Sequence, residues 1–106
     1  MKFSGGMGEL MRQAGRVQRK VEKRREELKS ETFEANAGNG KVTAVANGIP
    51  ELVEIRVDKA LLEEEDLEMV QDLLVAAANA ALTKAREHVE AEIEKITGGL
   101  TIPGLV

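Results

Sequence analysis

Apolar residues in the first third of the chain fall at Met7, Leu10, Ala14, Val17, Val21 and Leu28, in steps of three and four. Such spacing stacks side chains into one narrow stripe, so it predicts a helix over residues 7–28 whose seam packs against another long helix. Arg24 holds the one seam position that breaks the series. Ahead of the seam, Gly5, Gly6 and Gly8 disfavour helix, and residues 1–6 are expected to form a flexible lead-in. An anion nest formed by these glycines is the alternative, but no lysine-serine signature follows them.

The pattern then changes from helical to period two. In residues 41–47, Val42, Ala44 and Ala46 alternate with Thr43 and Val45; in residues 51–58, Val53, Ile55 and Val57 alternate with Leu52, Glu54 and Arg56. These runs read as two strands of a hairpin. Asn47 and Gly48 are expected to supply positive φ at the turn, and Pro50, which has no N–H to donate, stands just outside the second strand. Residues 32–37, with Phe33, Ala35 and Ala37 in phase, form a third run joined through Gly38, Asn39 and Gly40. The result is a three-stranded antiparallel meander with a long helix on either side in sequence, an α+β arrangement.

Helical spacing resumes after the strands. Asp58 caps a short turn, and the acidic run Glu63, Glu64, Glu65 and Asp66 is expected to head a second long helix of residues 66–96, where carboxylates suit the positive end of the helix dipole. A divalent-metal cluster is the rival reading, but neither loop spacing nor histidine supports it. The stripe runs through Leu67, Val70, Leu74, Ala77, Ala78, Ala81, Leu82, Ala85, Val89, Ile93 and Ile96. Residues 75–81 are small on every side, so a neighbour can approach the backbone closely. At 1.5 Å per residue this helix is about 45 Å long and outruns the core of a compact domain of this size. Its distal half is expected to lie along the first helix as an arm, with Glu87, Glu90 and Glu94 outward. Thr97, Gly98 and Gly99 end the helix, and residues 98–106 are expected to form a flexible apolar tail, docking of residues 100–106 on a neighbour being the alternative.

At 106 residues the chain reads as a single domain, 1–106. No apolar run is long enough to span a membrane, and the cytoplasm is the expected compartment. Without cysteine there is no disulfide, thiolate metal site or cysteine nucleophile. The lone His88 beside the seam reads as a half-exposed helix residue rather than a switch or ligand. Nothing pairs a nucleophile with a base and an orienting group, so no catalytic residue, cofactor, metal or small-molecule substrate is expected. With Phe3 and Phe33 as the only aromatics, and much of the apolar content alanine, a deep core is hard to build; some apolar surface is expected to go to a partner.

Charge separates the two ends. Residues 1–30 carry a balance of +5 and residues 31–106 a balance of −9, within a net charge of −4. On the first helix, Arg12, Arg16, Arg19, Lys20 and Lys23 form a stripe opposite the seam, and Arg25 and Lys29 add charge on a flank. Between Arg12 and Lys23 the stripe covers roughly 16 Å, enough to meet several phosphates of a duplex. Taken alone, the stripe is better explained as a solvated face that keeps a long helix soluble.

That balance shifts with the order of short motifs: Gly-Gly-Met-Gly-Glu-Leu-Met-Arg-Gln-Ala at residues 5–14, Gly-Lys-Val-Thr at 40–43, Asn-Gly at 47–48, and Val-Glu-Ile-Arg-Val-Asp at 53–58 before Leu61 and Leu62. Asp-Leu-Glu-Met at 66–69, Asp-Leu-Leu-Val-Ala-Ala-Ala-Asn-Ala-Ala at 72–81, Gly-Gly-Leu at 98–100 and Pro-Gly at 103–104 follow. In this order and spacing the chain resembles the YbaB/EbfC family of bacterial nucleoid-associated proteins over nearly its whole length. The resemblance implies an α+β homodimer with projecting helical arms that binds double-stranded DNA and sits in the nucleoid. It supplies no strict contact signature, so Arg12, Arg16, Arg19, Lys20, Lys23, Arg25 and Lys29 are the candidate DNA-binding residues read from this sequence. The alternative from another class is a dimeric protein-interaction scaffold without direct DNA binding.

Overall fold

The computed structural model describes residues 3–98, with side chains from Gly6 onward. In order come α1 (Phe3–Leu28), β1 (Thr32–Ala37), β2 (Val42–Asn47), β3 (Leu52–Val57), α2 (Lys59–Glu64) and α3 (Leu67–Thr97). The strands form one antiparallel sheet in the order β1-β2-β3. The expected meander between two long helices is therefore present. The molecule measures 74 × 19 × 18 Å with a radius of gyration of 20.2 Å, against about 13 Å for a compact domain of 100 residues. Both long helices extend beyond the core.

The core sits where α3 crosses the sheet. Ala77, Ala81 and Ala85 are fully buried against Val42, Ala44 and Ala46, with Phe33, Leu61 and Val70 around them. Small side chains on both surfaces let helix and sheet approach closely, which explains the alanine-rich stretch. Leu67, placed in the same stripe by spacing, lies outside this contact and is 71% exposed.

Beyond the sheet, α3 turns its distal half along α1. His88 packs its ring 5.0 Å from that of Phe33, with Nε2 3.7 Å from Glu31. Further out, Arg24 donates to Glu92 at 2.8 and 3.1 Å, and also reaches Glu31 at 2.9 Å and Glu27 at 3.3 Å. The charged residue that interrupts the seam is thus its crosslink. Contacts with Glu31 near the sheet and with Glu92 farther along show that the helices run antiparallel.

Several local expectations are revised. The helix begins at Phe3, taking Gly5, Gly6 and Gly8 into its first turns. Glycine lowers helix propensity by about 1 kcal/mol relative to alanine but does not forbid helical dihedrals, and a formed helix propagates one hydrogen bond per residue. The expectations for residues 1, 2 and 99–106 lie outside the described residues. Gly98, included in the expected tail, is ordered as the left-handed cap of α3, its N–H bonded to Glu94 O at 2.8 Å.

Positive φ occurs at Gly38, Asn39 and Gly40, between β1 and β2, but not at Asn47 or Gly48. Asn47 instead shapes its turn by accepting from the N–H groups of Ile49 and Glu51 through Oδ1. Gly48 is needed for space: a Cβ there would meet the carbonyl of Leu28. In β3, the pairing passes from Val45–Glu54 to Ala46–Leu52 across a bulge. Leu52 takes the place opposite Ala46 that strict alternation gives to Val53. The acidic run is divided as well, because Glu63 and Glu64 belong to α2 and only Asp66 caps α3, accepting from Met69 N.

Candidate nucleic-acid interface

One face of α1 is committed to the rest of the chain by Val21 and Leu28, both buried, and by Arg24. An α-helix turns about 100° per residue, so fixing these three points the residues between them outward. Arg12, Arg16, Arg19, Lys20 and Lys23 all stand in solvent as the spacing predicts, and Arg25 and Lys29 are exposed on the flank. The stripe is real as geometry. Its cations are not equivalent.

Glu9 accepts from Arg12 at 2.9 Å and from Arg16 at 3.3 Å. The two guanidiniums, Arg12 foremost, hold the Glu9 carboxyl below its ordinary range. Lys29 pairs with Glu26 at 2.8 Å. By contrast, Arg19, Lys20, Lys23 and Arg25 have no carboxylate within ion-pair distance among the described residues. Among the described residues, Arg19, Lys20 and Lys23 stand unpaired on one face in the middle of α1, Arg25 stands unpaired on the flank nearer the seam, and two preoccupied arginines lie nearer the N-terminus. Counting charges along the helix missed this division, although Glu9 at i−3 to Arg12 is a legible pairing signal.

The acidic residues Glu87, Glu90 and Glu94 are exposed on α3. Glu92 points inward and is held down to about 2, first by Lys95 at 2.6 Å and then by Arg24. On the sheet, Arg56 joins Glu34 at 2.6 Å to Glu54 at 2.8 Å, bridging the two outer strands across β2. No group of histidine and carboxylates suited to a metal ion occurs among the described residues. The sequence pattern alone also missed the apolar exposure of Ile49, Leu52, Val53 and Ile55 around β3, whose outer edge has no partner strand among the described residues.

The YbaB/EbfC DNA-binding family model matches residues 3–100. A nucleoid-associated protein of Acetivibrio thermocellus is 51% identical over 104 residues, covering 97% of this chain and 92% of the relative. Another, from Myxococcus xanthus, is 46% identical over 96 residues, or 91% of each chain. A solved structure of an uncharacterized protein from Helicobacter pylori superposes with a TM-score of 0.60 at 29% identity, covering 69% of this chain and 84% of that one. The family match across nearly all described elements, with close relatives over the same span, means that this chain belongs to the YbaB/EbfC DNA-binding family.

Proposed function

We propose that the protein is a nucleoid-associated homodimer that binds double-stranded DNA through the phosphate backbone with weak sequence specificity. The observation that carries this reading is the row of exposed cations Arg19, Lys20 and Lys23, unpaired among the described residues on a helix whose opposite face is fixed to the fold, with Arg25 exposed on the flank. The family and the names of its relatives support the DNA partner and the nucleoid as its location.

Cations spaced along about 1.5 Å per residue of helix can follow a phosphate track and release its counterions. Base reading needs side chains that reach groove edges or wedge between bases, and α1 offers only long flexible cations and no aromatic residue past Phe3. Arg12 and Arg16 join the contact once phosphate displaces Glu9, and Lys29 once it leaves Glu26.

The unpaired edge of β3 and the apolar side chains Ile49, Leu52, Val53 and Ile55 support the second subunit at that end of the molecule. An open, apolar strand edge is costly to leave in water and suited to pairing with a copy of itself. Two subunits joined there would carry two arms and double the cations presented.

The test is anisotropy of a labelled duplex at several salt concentrations. If Arg19, Lys20 and Lys23 of both subunits each engage a phosphate, the slope of log K against log salt is about −5. Reversing all three to glutamate should abolish binding while leaving the dimer intact by sedimentation. Full binding by that variant would sink the site assignment; failure of the parent protein to bind any duplex at low salt would sink the function and favour the protein-scaffold reading.

A further inference from the structure

The α1 seam runs on past the end of α3. Arg24 lies beside Glu92, and the helices are antiparallel. The five residues from Glu92 to Thr97 therefore bring the end of α3 level with roughly Arg19 or Lys20 at about 1.5 Å per residue. Val21 is 1% exposed and Val17 half-buried, but Leu10 and Met7 are each 61% exposed and Met11 70%. Two turns of heptad-spaced apolar side chains stand uncovered by any described residue.

Gly98 closes α3 in the left-handed conformation, and eight residues follow it: Gly-Leu-Thr-Ile-Pro-Gly-Leu-Val. None is charged, and four are large aliphatic residues. Extended at about 3.3 Å each they reach roughly 26 Å, whereas the uncovered seam from Val17 to Met7 runs about 15 Å along the helix. The segment starts beside the seam's uncovered part, is long enough to run its length, and matches its chemistry. Attachment at Gly98 also gives it an effective concentration that a separate partner must exceed.

We propose that residues 99–106 dock on the N-terminal half of the α1 seam of their own chain, covering Met7, Leu10 and Met11. The docked segment completes the packing face where α3 stops, on the side of α1 opposite Arg12, Arg19 and Lys23. It leaves the cationic stripe open and ties down the part of the arm that α3 does not reach. This proposal does not depend on what the stripe binds.

The chain has no native cysteine, so paired substitutions report proximity without background. Leu10→Cys combined with Leu105→Cys should form an intrachain disulfide under mild oxidation. Arg12→Cys with Leu105→Cys, which places the thiol on the opposite face, should form it at least several-fold more slowly. Ending the chain after Gly98 should raise amide exchange over residues 7–17 by about tenfold, or ~1.4 kcal/mol, with exchange in β2 unchanged. Equal crosslinking at the two α1 positions, or exchange unaffected by truncation, overturns the docking. Predominantly interchain disulfides would also overturn it, by assigning the seam to a second copy.

Discussion

Replacing Gly48 by alanine tests how α1 is rooted on the sheet. A Cβ at this position lies 2.6 Å from the carbonyl carbon of Leu28, 3.0 Å from its Cβ and closer still to its carbonyl oxygen. Two of those three atoms are backbone, so no rotamer change relieves the contact. The same carbonyl accepts from Glu31 N at 3.1 Å, and Leu28 is fully buried, so the end of the helix cannot yield freely. Overpacking of this kind costs about 1–3 kcal/mol, with ~1 kcal/mol more if the Glu31 hydrogen bond is lost. For a domain of this size each kcal/mol shifts Tm by about 4–8 °C, so a loss near 2.5 kcal/mol lowers it by roughly 10–20 °C. Melting followed by far-UV circular dichroism, at one fixed protein concentration because association alters Tm, measures the effect. Gly15→Ala is the comparison, since its Cβ meets only the flexible end of Arg19 at 3.3 Å and gains up to ~1 kcal/mol of helix propensity. A Tm for Gly48→Ala within about 2 °C of the parent would refute the close approach of turn and helix.

Glu9→Gln should tighten duplex binding, because no carboxylate then competes with phosphate for Arg12 and Arg16, and should steepen the salt slope by up to about 3.6 for four more phosphates across two subunits at about 0.9 each; unchanged affinity and slope together would mean that neither arginine reaches DNA. Arg24→Ala should speed amide exchange over residues 89–97 while leaving β2 protected, since the crosslink to Glu92 is confined to the arm; uniform acceleration would place Arg24 in the global core instead. Glu92 has a folded-state pKa of about 2, below its ordinary value of 4.5. Its contribution to stability is therefore present above that ordinary value and is lost as pH falls from it toward 2. Amide exchange on the arm should quicken through that window in the parent and much less in Glu92→Gln, and equal responses would remove Glu92 as the cause.

Much of this protein was legible in one dimension. Period-two runs around Val42 and Ile55, three-four spacing from Met7 to Leu28 and the small residues between Val75 and Ala81 identified the elements, because local side-chain direction follows backbone periodicity. The same rotation placed Arg19, Lys20 and Lys23 opposite the seam. Periodicity says nothing about what lies across space, and that is what the tertiary structure decided. Arg24 breaks a pattern in sequence and becomes a crosslink only when Glu92 arrives opposite it. Gly48 resembles a turn residue until Leu28 is seen against it, and Val53 loses its face to a bulge in the pairing with β2. The uncovered seam and the open edge of β3 likewise emerge only once α3 has stopped and the sheet has ended. Chain-local forces specify which residues share a face; packing specifies which faces find a partner.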